Sequence, residues 1–268
     1  MNYLSYYNLE FNPFDKALDT KHKFETEDYK IAYNRLNHIK ENKGLALFTG
    51  AAGYGKTFCV RSFISSLNTG LHKCIYISLS TITVIEFYRQ LCYELGIEET
   101  NKKVIMFRTI QERLIEMSRG QRMNVMIFID EAQYLKTDIL NDLKMLLNFE
   151  VDSKNYVTIV LMGQPVLNNI LSRSMHEPLR QRITVSYNFS GITKVELKEY
   201  IESRLKLAGA SQNIFNENAI NAIYDSCNYS LRIVNNIIEK ALIISANKQL
   251  NEIDNQVIIE AYEEIQLG

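Results

Sequence analysis

Gly50-Ala51-Ala52-Gly53-Tyr54-Gly55-Lys56-Thr57 is the stretch on which the reading of this chain turns. It satisfies the phosphate-cradling pattern G-x-x-x-x-G-K-[ST] at every specified position. Its flanks agree: Gly44-Leu45-Ala46-Leu47-Phe48-Thr49 reads as a buried apolar strand running into the loop, and Thr57 to Ile64 as a helix leaving it. That order matters physically. Glycines let the backbone wrap around phosphates, and a helix N-terminus aims free N–H groups at the anion. In such a loop the lysine, here Lys56, reaches the β- and γ-phosphates, and the hydroxyl of Thr57 ligates Mg²⁺. Gly50 through Thr57, with Phe58 just past them, are therefore the expected nucleotide contacts. An ordinary glycine-rich turn is the competing reading, and the matching flanks argue against it.

With 268 residues the chain can hold one large core, or one core and a small second domain. Hydrophobic residues make up 46% and charged residues 23%, as in ordinary globular proteins. Thirty basic and thirty-one acidic side chains leave a net charge of −1, so no global basic field advertises nucleic acid, although a local patch could still bind it. Cys59, Cys74, Cys92 and Cys227 form no C-x-x-C pair and have no histidine at zinc spacing, which points to buried free thiols in a reducing compartment. The N-terminus has neither a basic nor an apolar signal region. The longest apolar runs, Val125 to Ile129 and Ile159 to Met162, fall far short of the roughly 20 residues a membrane helix needs. A cytoplasmic protein without membrane insertion is the expectation.

Residues 1–24 carry aromatic anchors (Tyr6, Tyr7, Phe11, Phe14, Phe24) without periodicity, suggesting an arm packed on a larger body. Helices are predicted over Glu27 to Asn42, Val84 to Leu95 and Val104 to Ser118. Strands are predicted at Cys74 to Ser78, Val125 to Asp130, Tyr156 to Met162 and Thr184 to Tyr187. With the first strand these make a parallel five-stranded sheet covered by helices. After Ser190 the strands stop. Thr193-Lys194-Val195-Glu196 is a capping box opening a helix to about Leu207, and further helices follow near 216–227, 231–247 and 254–266. The division expected is an α/β domain over 1–190 and a small all-helical domain over 191–268.

Four further places carry chemistry. The apolar strand Val125 to Asp130 ends in Asp130-Glu131, which suits Asp130 to holding Mg²⁺ and Glu131 to polarising an attacking water; two acids at a strand exit could instead cap the next helix. Gln164, in Gly163-Gln164-Pro165 after the fourth strand, would sit between the two nucleotide motifs, unless this is a plain exit turn. Arg180 and Arg182, in Leu179-Arg180-Gln181-Arg182-Ile183, could point a guanidinium at a neighbouring subunit's γ-phosphate or make a solvated basic turn. Arg232 opposes the dipole of the helix it opens, which an anionic partner would explain, as would a tolerated surface arginine.

These pieces together resemble an AAA+ ATPase, of the branch that holds the ExeA-type secretion ATPases and the transposon target-selection ATPases MuB, TnsC and TniB. The resemblance runs through Tyr7-Asn8-Leu9-Glu10-Phe11-Asn12-Pro13-Phe14, the phosphate loop, Asp130-Glu131-Ala132-Gln133-Tyr134-Leu135, Gly163-Gln164-Pro165, Leu179 to Ile183 and Tyr200 to Gly209. It implies a P-loop α/β fold with a helical lid, and ATP with Mg²⁺ as ligands. It makes Gln164 sensor 1, Arg182 or Arg180 the trans-acting finger and Arg232 sensor 2, with Pro13 and Phe14 lining the adenine pocket. The family's Gly-x-Pro-Arg before sensor 2 is replaced by Tyr229-Ser230-Leu231-Arg232, which keeps the arginine but not its rigid turn. Secretion ATPases of this type continue into a membrane helix and an envelope-binding region, whereas this sequence ends at Gly268. The expectation is therefore a transposition regulator that self-assembles into a ring or filament on double-stranded DNA with ATP and recruits or activates a transposase. The alternatives are a secretion-associated ATPase or an ATP-gated scaffold that binds only proteins. Lys102, Lys103 and Arg108, around a helix start, are the candidate phosphate-backbone contacts, or else ordinary surface charges.

Overall fold

Five apolar stretches become the strands β1 (Gly44–Thr49), β2 (His72–Ile77), β3 (Asn124–Ile129), β4 (Val157–Gly163) and β5 (Ile183–Asn188). The computed structural model describes residues 2–15, 23–78, 83–147, 155–210 and 212–267. The strands pair in the order β2-β3-β4-β1-β5, and every pairing is parallel. Parallel neighbours need long crossovers, which the intervening helices supply. Every residue of β1 and β4 is buried, the reason both read as unbroken apolar runs. At the sheet edge β5 alternates instead, with Thr184 and Ser186 exposed on either side of buried Val185. The expected five-stranded parallel sheet is the one that forms.

Helix ends follow local chemistry. In α4 (Val84–Leu95) a Thr83–Glu86 capping box starts the helix, and Gly96 ends it in the left-handed region at φ 67°. The box at Thr193 and Glu196, legible in the sequence, opens α9 (Lys194–Leu207). α2 (Glu27–Asn42) and α11 (Leu231–Asn247) have the predicted limits, and α3 (Lys56–Ser66), α10 (Glu217–Ser226) and α12 (Asn255–Leu267) come within a residue or two of theirs. The segment predicted as one helix from Val104 to Ser118 differs. α5 (Lys103–Ile115) gives way to a π-helical turn over Glu116–Gly120, which brings the chain into β3. Helices α1 (Tyr3–Tyr6), α6 (Thr137–Leu146), α7 (Val166–Leu171) and α8 (Glu177–Arg180) were not anticipated. Three of them are too short to show a helical period, whereas α6 buries Ile139, Leu140, Leu143 and Leu146 at regular helical spacing.

The chain divides into two compact units. One comprises Tyr29–Ala51 and Lys56–Phe189 and holds the sheet and a core running from Leu45 through Ile127 and Ile159 to Leu179. The other comprises Met1–Asp28, Ala52–Gly55 and Ser190–Gly268. The arm, expected to belong with the α/β body, thus groups with the helical region. Tyr7, Leu9 and Phe14 are buried among Leu197, Ile201 and Ile238. The Tyr7 hydroxyl donates to the Leu250 carbonyl (2.9 Å) and lies 2.6 Å from the Ser245 hydroxyl. The Glu10 amide donates to the Ala208 carbonyl (2.9 Å). All four cysteines are free thiols; three are buried and Cys74 is half-buried.

β4 is the central strand of the sheet and is buried along its whole length. Leu161 has no exposed surface, so Leu161→Ala should lower unfolding free energy by about 2–5 kcal/mol through lost transfer energy and the cavity left behind. Val195→Ala, at a side chain 70% exposed, should stay within about 0.5 kcal/mol. Urea titration compares the two, and equal losses would show that β4 is not tightly packed.

Candidate functional site

Register brings the C-terminal ends of three strands into line, with Thr49 of β1 opposite Gly163 of β4 and Ile129 of β3 opposite Leu161. Ligands in open α/β sheets bind at that edge. The turns leaving it begin at Gly50, Asp130 and Gln164, so β4 does place Gln164 between the two motif strands. Gly50 is required by packing, since a Cβ there would lie 2.7 Å from Phe189 Cβ. Lys56, the first residue of α3, is only 6% exposed. Its ammonium donates to the carbonyls of Gly50 (2.6 Å) and Ala51 (2.8 Å), which answers the cost of burying a charge.

The Thr57 hydroxyl donates to Asp130 Oδ2 at 3.0 Å, so the phosphate-loop helix and the β3 exit share one carboxylate. Two hard oxygen groups at this distance fit Mg²⁺, which binds through one or two protein oxygens and fills its octahedron with water and phosphate. Asp130 Oδ1 accepts the Glu131 amide (2.9 Å), and Oδ2 also accepts the hydroxyl of Tyr76 on β2. Burial, and then the bond to Asp130, pushes the Tyr76 hydroxyl far above the ordinary tyrosine value, so it remains a donor at neutral pH. Sequence reasoning missed Tyr76: inside a period-2 strand nothing marks one tyrosine as facing a carboxylate.

Glu131 has φ 51° and ψ 37°, the left-handed region, at a cost of about 1–3 kcal/mol for a residue with a side chain. It makes no side-chain bond capping the 3-10 turn it precedes, so the helix-cap reading of this acid is not what forms. Its carboxylate accepts the Nε2 of Gln133, whose Oε1 in turn accepts the Gln164 amide at 3.0 Å. Gln133 lies inside the Asp130–Leu135 motif, where sequence alone marks no role for its side chain.

The helical unit arranges its own residues. Gly53 has φ 82°, and a Cβ there would lie 2.0 Å from Ser230 Oγ and 3.0 Å from Arg232 Cβ. The Tyr54 hydroxyl donates to the Asn228 carbonyl (3.2 Å). The missing Gly-x-Pro turn is made another way: Asn228 (φ 46°) and Tyr229 (φ 59°) are both left-handed, and Ser230 then caps α11. Arg232 is exposed as the second residue of that helix. Pro13 and Phe14 are both buried, and the Phe14 ring packs edge-on against Tyr200 at 6.1 Å.

The remaining candidates lie on the α/β unit. Arg180 is exposed at the end of α8 and donates to the Ser172 carbonyl (2.9 Å); Arg182 is half-buried and reaches the Leu147 carbonyl at 3.5 Å. Lys102 is exposed, but Lys103 pairs with Asp142 (2.6 Å) and Arg108 with Glu112 (2.9 Å). Two of the three proposed DNA contacts therefore already face carboxylates.

A parallel β2-β3-β4-β1-β5 sheet with a phosphate loop after β1 and Asp-Glu after β3 defines a P-loop nucleotide-binding protein. Residues 39–171 match the family model described as an AAA domain. The chain is 28% identical over 266 residues to general secretion pathway protein A of Aeromonas hydrophila, covering 97% of this chain and 48% of that protein. It is 27% identical over 140 residues to the ATP-dependent target DNA activator B of Escherichia phage Mu, covering 52% of this chain and 41% of that one. It thus spans about half the length, or less, of these curated relatives. In fold it is similar to Cdc6p from Pyrobaculum aerophilum, with a TM-score of 0.67 at 17% identity, over 94% of this chain and 70% of that one. These matches support an AAA+ protein similar to the branch that includes secretion pathway protein A and target DNA activator B.

Proposed function

We propose that this protein binds ATP with Mg²⁺ in the cytoplasm, hydrolyses it, and uses the cycle to assemble on double-stranded DNA and recruit or activate a transposase. The observation behind the ATPase reading is the meeting of Lys56, Thr57, Asp130 and Glu131 at one sheet edge, through the bonds Thr57–Asp130 and Asp130–Glu131. Bound Mg²⁺ would neutralise charge developing on the transferred phosphoryl group. Lys56 then holds phosphate oxygens, Thr57 and Asp130 hold the metal, and Glu131 orients the attacking water. The DNA reading draws on the similarity to target DNA activator B. The match to secretion pathway protein A, over 97% of this chain, favours a second reading: a secretion-associated ATPase or protein scaffold that does not bind DNA. In both readings residues 1–190 bind nucleotide and 191–268 act as the lid.

Lys56→Ala should abolish ATP binding, whereas Glu131→Gln should retain it and lose at least about a hundredfold in turnover, because only the second acts on the water. Nucleotide binding measured beside phosphate release checks both, and near wild-type release by Glu131→Gln would remove its catalytic role.

A finger supplied by a neighbour makes specific activity rise with protein concentration. The exposed position of Arg180 makes it as strong a candidate as Arg182. For whichever is the finger, the Ala variant should be inactive alone and regain turnover when mixed with Glu131→Gln subunits, since mixed interfaces contain one intact site. No rescue with either arginine would argue against an inter-subunit finger.

DNA held through its phosphates should bind with a steep salt dependence and little sequence preference. Lys102→Glu/Arg108→Glu leaves the Lys103–Asp142 pair untouched and should weaken DNA binding while sparing basal turnover. A gel shift with a non-hydrolysable ATP analogue at low salt decides the matter; no shift at micromolar protein favours the second reading.

A further inference from the structure

Gln133 is the least explained polar side chain at the strand exits. It is 9% exposed, and burying an amide is costly unless both of its ends are bonded. Both are. Nε2 donates to Glu131 Oε2, and Oε1 accepts the backbone N–H of Gln164. Gly163 makes room for this bridge, since a Cβ there would come to 2.5 Å from Gln133 Oε1. The residue opposite Gly163 on β1 is Thr49, immediately before the phosphate loop. One side chain therefore ties the carboxylate of Glu131 to the turn that ends β4.

We propose that Gln133 is a positioning residue for hydrolysis: it fixes the direction of the Glu131 carboxylate and ties it to the position of the Gly163–Gln164 turn. The inference rests on the assignment of hydrolysis to Glu131. Glu131 already sits in a strained left-handed conformation, where its side chain has no helix or strand to orient it. A carboxylate held only by its own rotamer can point away from the water. The amide of Gln133 removes that freedom. Because the same amide group also takes the Gln164 N–H, a shift of the turn that carries Gln164 displaces Gln133 and moves Glu131 with it. The exit of β4 and the catalytic base are thus parts of one hydrogen-bonded unit. Gln133 itself touches neither nucleotide nor water in this scheme.

The test uses the full chain with Mg²⁺ and ATP, measuring kcat, KM and nucleotide affinity for three variants. Gln133→Ala should lower kcat about tenfold to a hundredfold, the usual cost of a misdirected catalytic group, while nucleotide affinity changes less than about threefold. Gly163→Ala should also lower kcat, because its methyl displaces Oε1. The double variant should be little slower than Gln133→Ala, since the methyl then meets only Leu167 Cδ2 at 3.1 Å, the movable end of a side chain, and the backbone nitrogen of residue 133 at 3.4 Å; strictly additive losses would show that the two sites act separately. Gln133→Glu preserves volume and the acceptor for the Gln164 amide but places a second negative charge beside Glu131. Its activity profile should move to lower pH, where the new carboxyl is protonated and donates again. A merely structural role would leave that profile parallel to wild type. Wild-type turnover with kcat of Gln133→Ala within twofold, or a parallel pH profile for Gln133→Glu, overturns the positioning role alone. A wild-type protein that binds ATP and never hydrolyses it overturns the hydrolytic reading, and the positioning role with it.

Discussion

The carboxylate of Asp130 is the point on which the sheet edge depends. It accepts from the Thr57 hydroxyl, the Tyr76 hydroxyl and the Glu131 amide, so it joins α3, β2 and the exit of β3. A buried carboxylate is expensive without donors, and three donors from three elements meet that expense while fixing where each element ends. The phosphate-loop helix is held at its second residue, and the turn into Glu131 at its first amide. Apolar packing brings β2, β3 and β4 side by side in parallel register, but it cannot by itself orient the polar groups at their tips.

Lys56 shows the same logic at the next turn. Its ammonium lies against the Gly50 and Ala51 carbonyls, which keeps the charge at the head of α3 and stops the long side chain from wandering into solvent. The positive end of the α3 dipole and the Lys56 charge therefore lie at the same end of one helix, where an anion is favoured. The organisation is the AAA+ one, and what a particular member does with its cycle is decided outside this edge, on surfaces such as α8 and the start of α5.

Much of the fold was legible because the inner strands β1, β3 and β4 are apolar runs and the longer helices between the strands show regular spacing. β1, α2, α4 and α11 emerge with the predicted limits because burial on both faces of a strand and regular apolar spacing along a helix leave local signals. The site was legible where motif and geometry coincide, at Lys56, Thr57, Asp130 and Glu131. It was not legible where a role depends on which side chain a distant strand supplies. Tyr76 faces Asp130 across 54 positions of sequence, and Gln133 meets the Gln164 amide across 31. The π turn at Glu116–Gly120 was hidden for a different reason: its apolar spacing continues that of α5, so the pattern does not show where the winding changes. The place of the arm was also hidden, because aromatic anchors reveal that a segment is buried but not against what.

The four free thiols have a practical consequence for anyone wishing to watch this protein move. Cys59, Cys92 and Cys227 are buried, and burial pushes the half-buried Cys74 thiol up to about 11. At neutral pH about one Cys74 in ten thousand is then a thiolate, the form that reacts with maleimides and oxidants. A cysteine introduced at an exposed position such as Tyr134 or Met175 would be the dominant nucleophile on an otherwise unreactive background. Fluorophores could be attached there with the native cysteines left in place, and the molecule should keep its thiols reduced through ordinary handling in air.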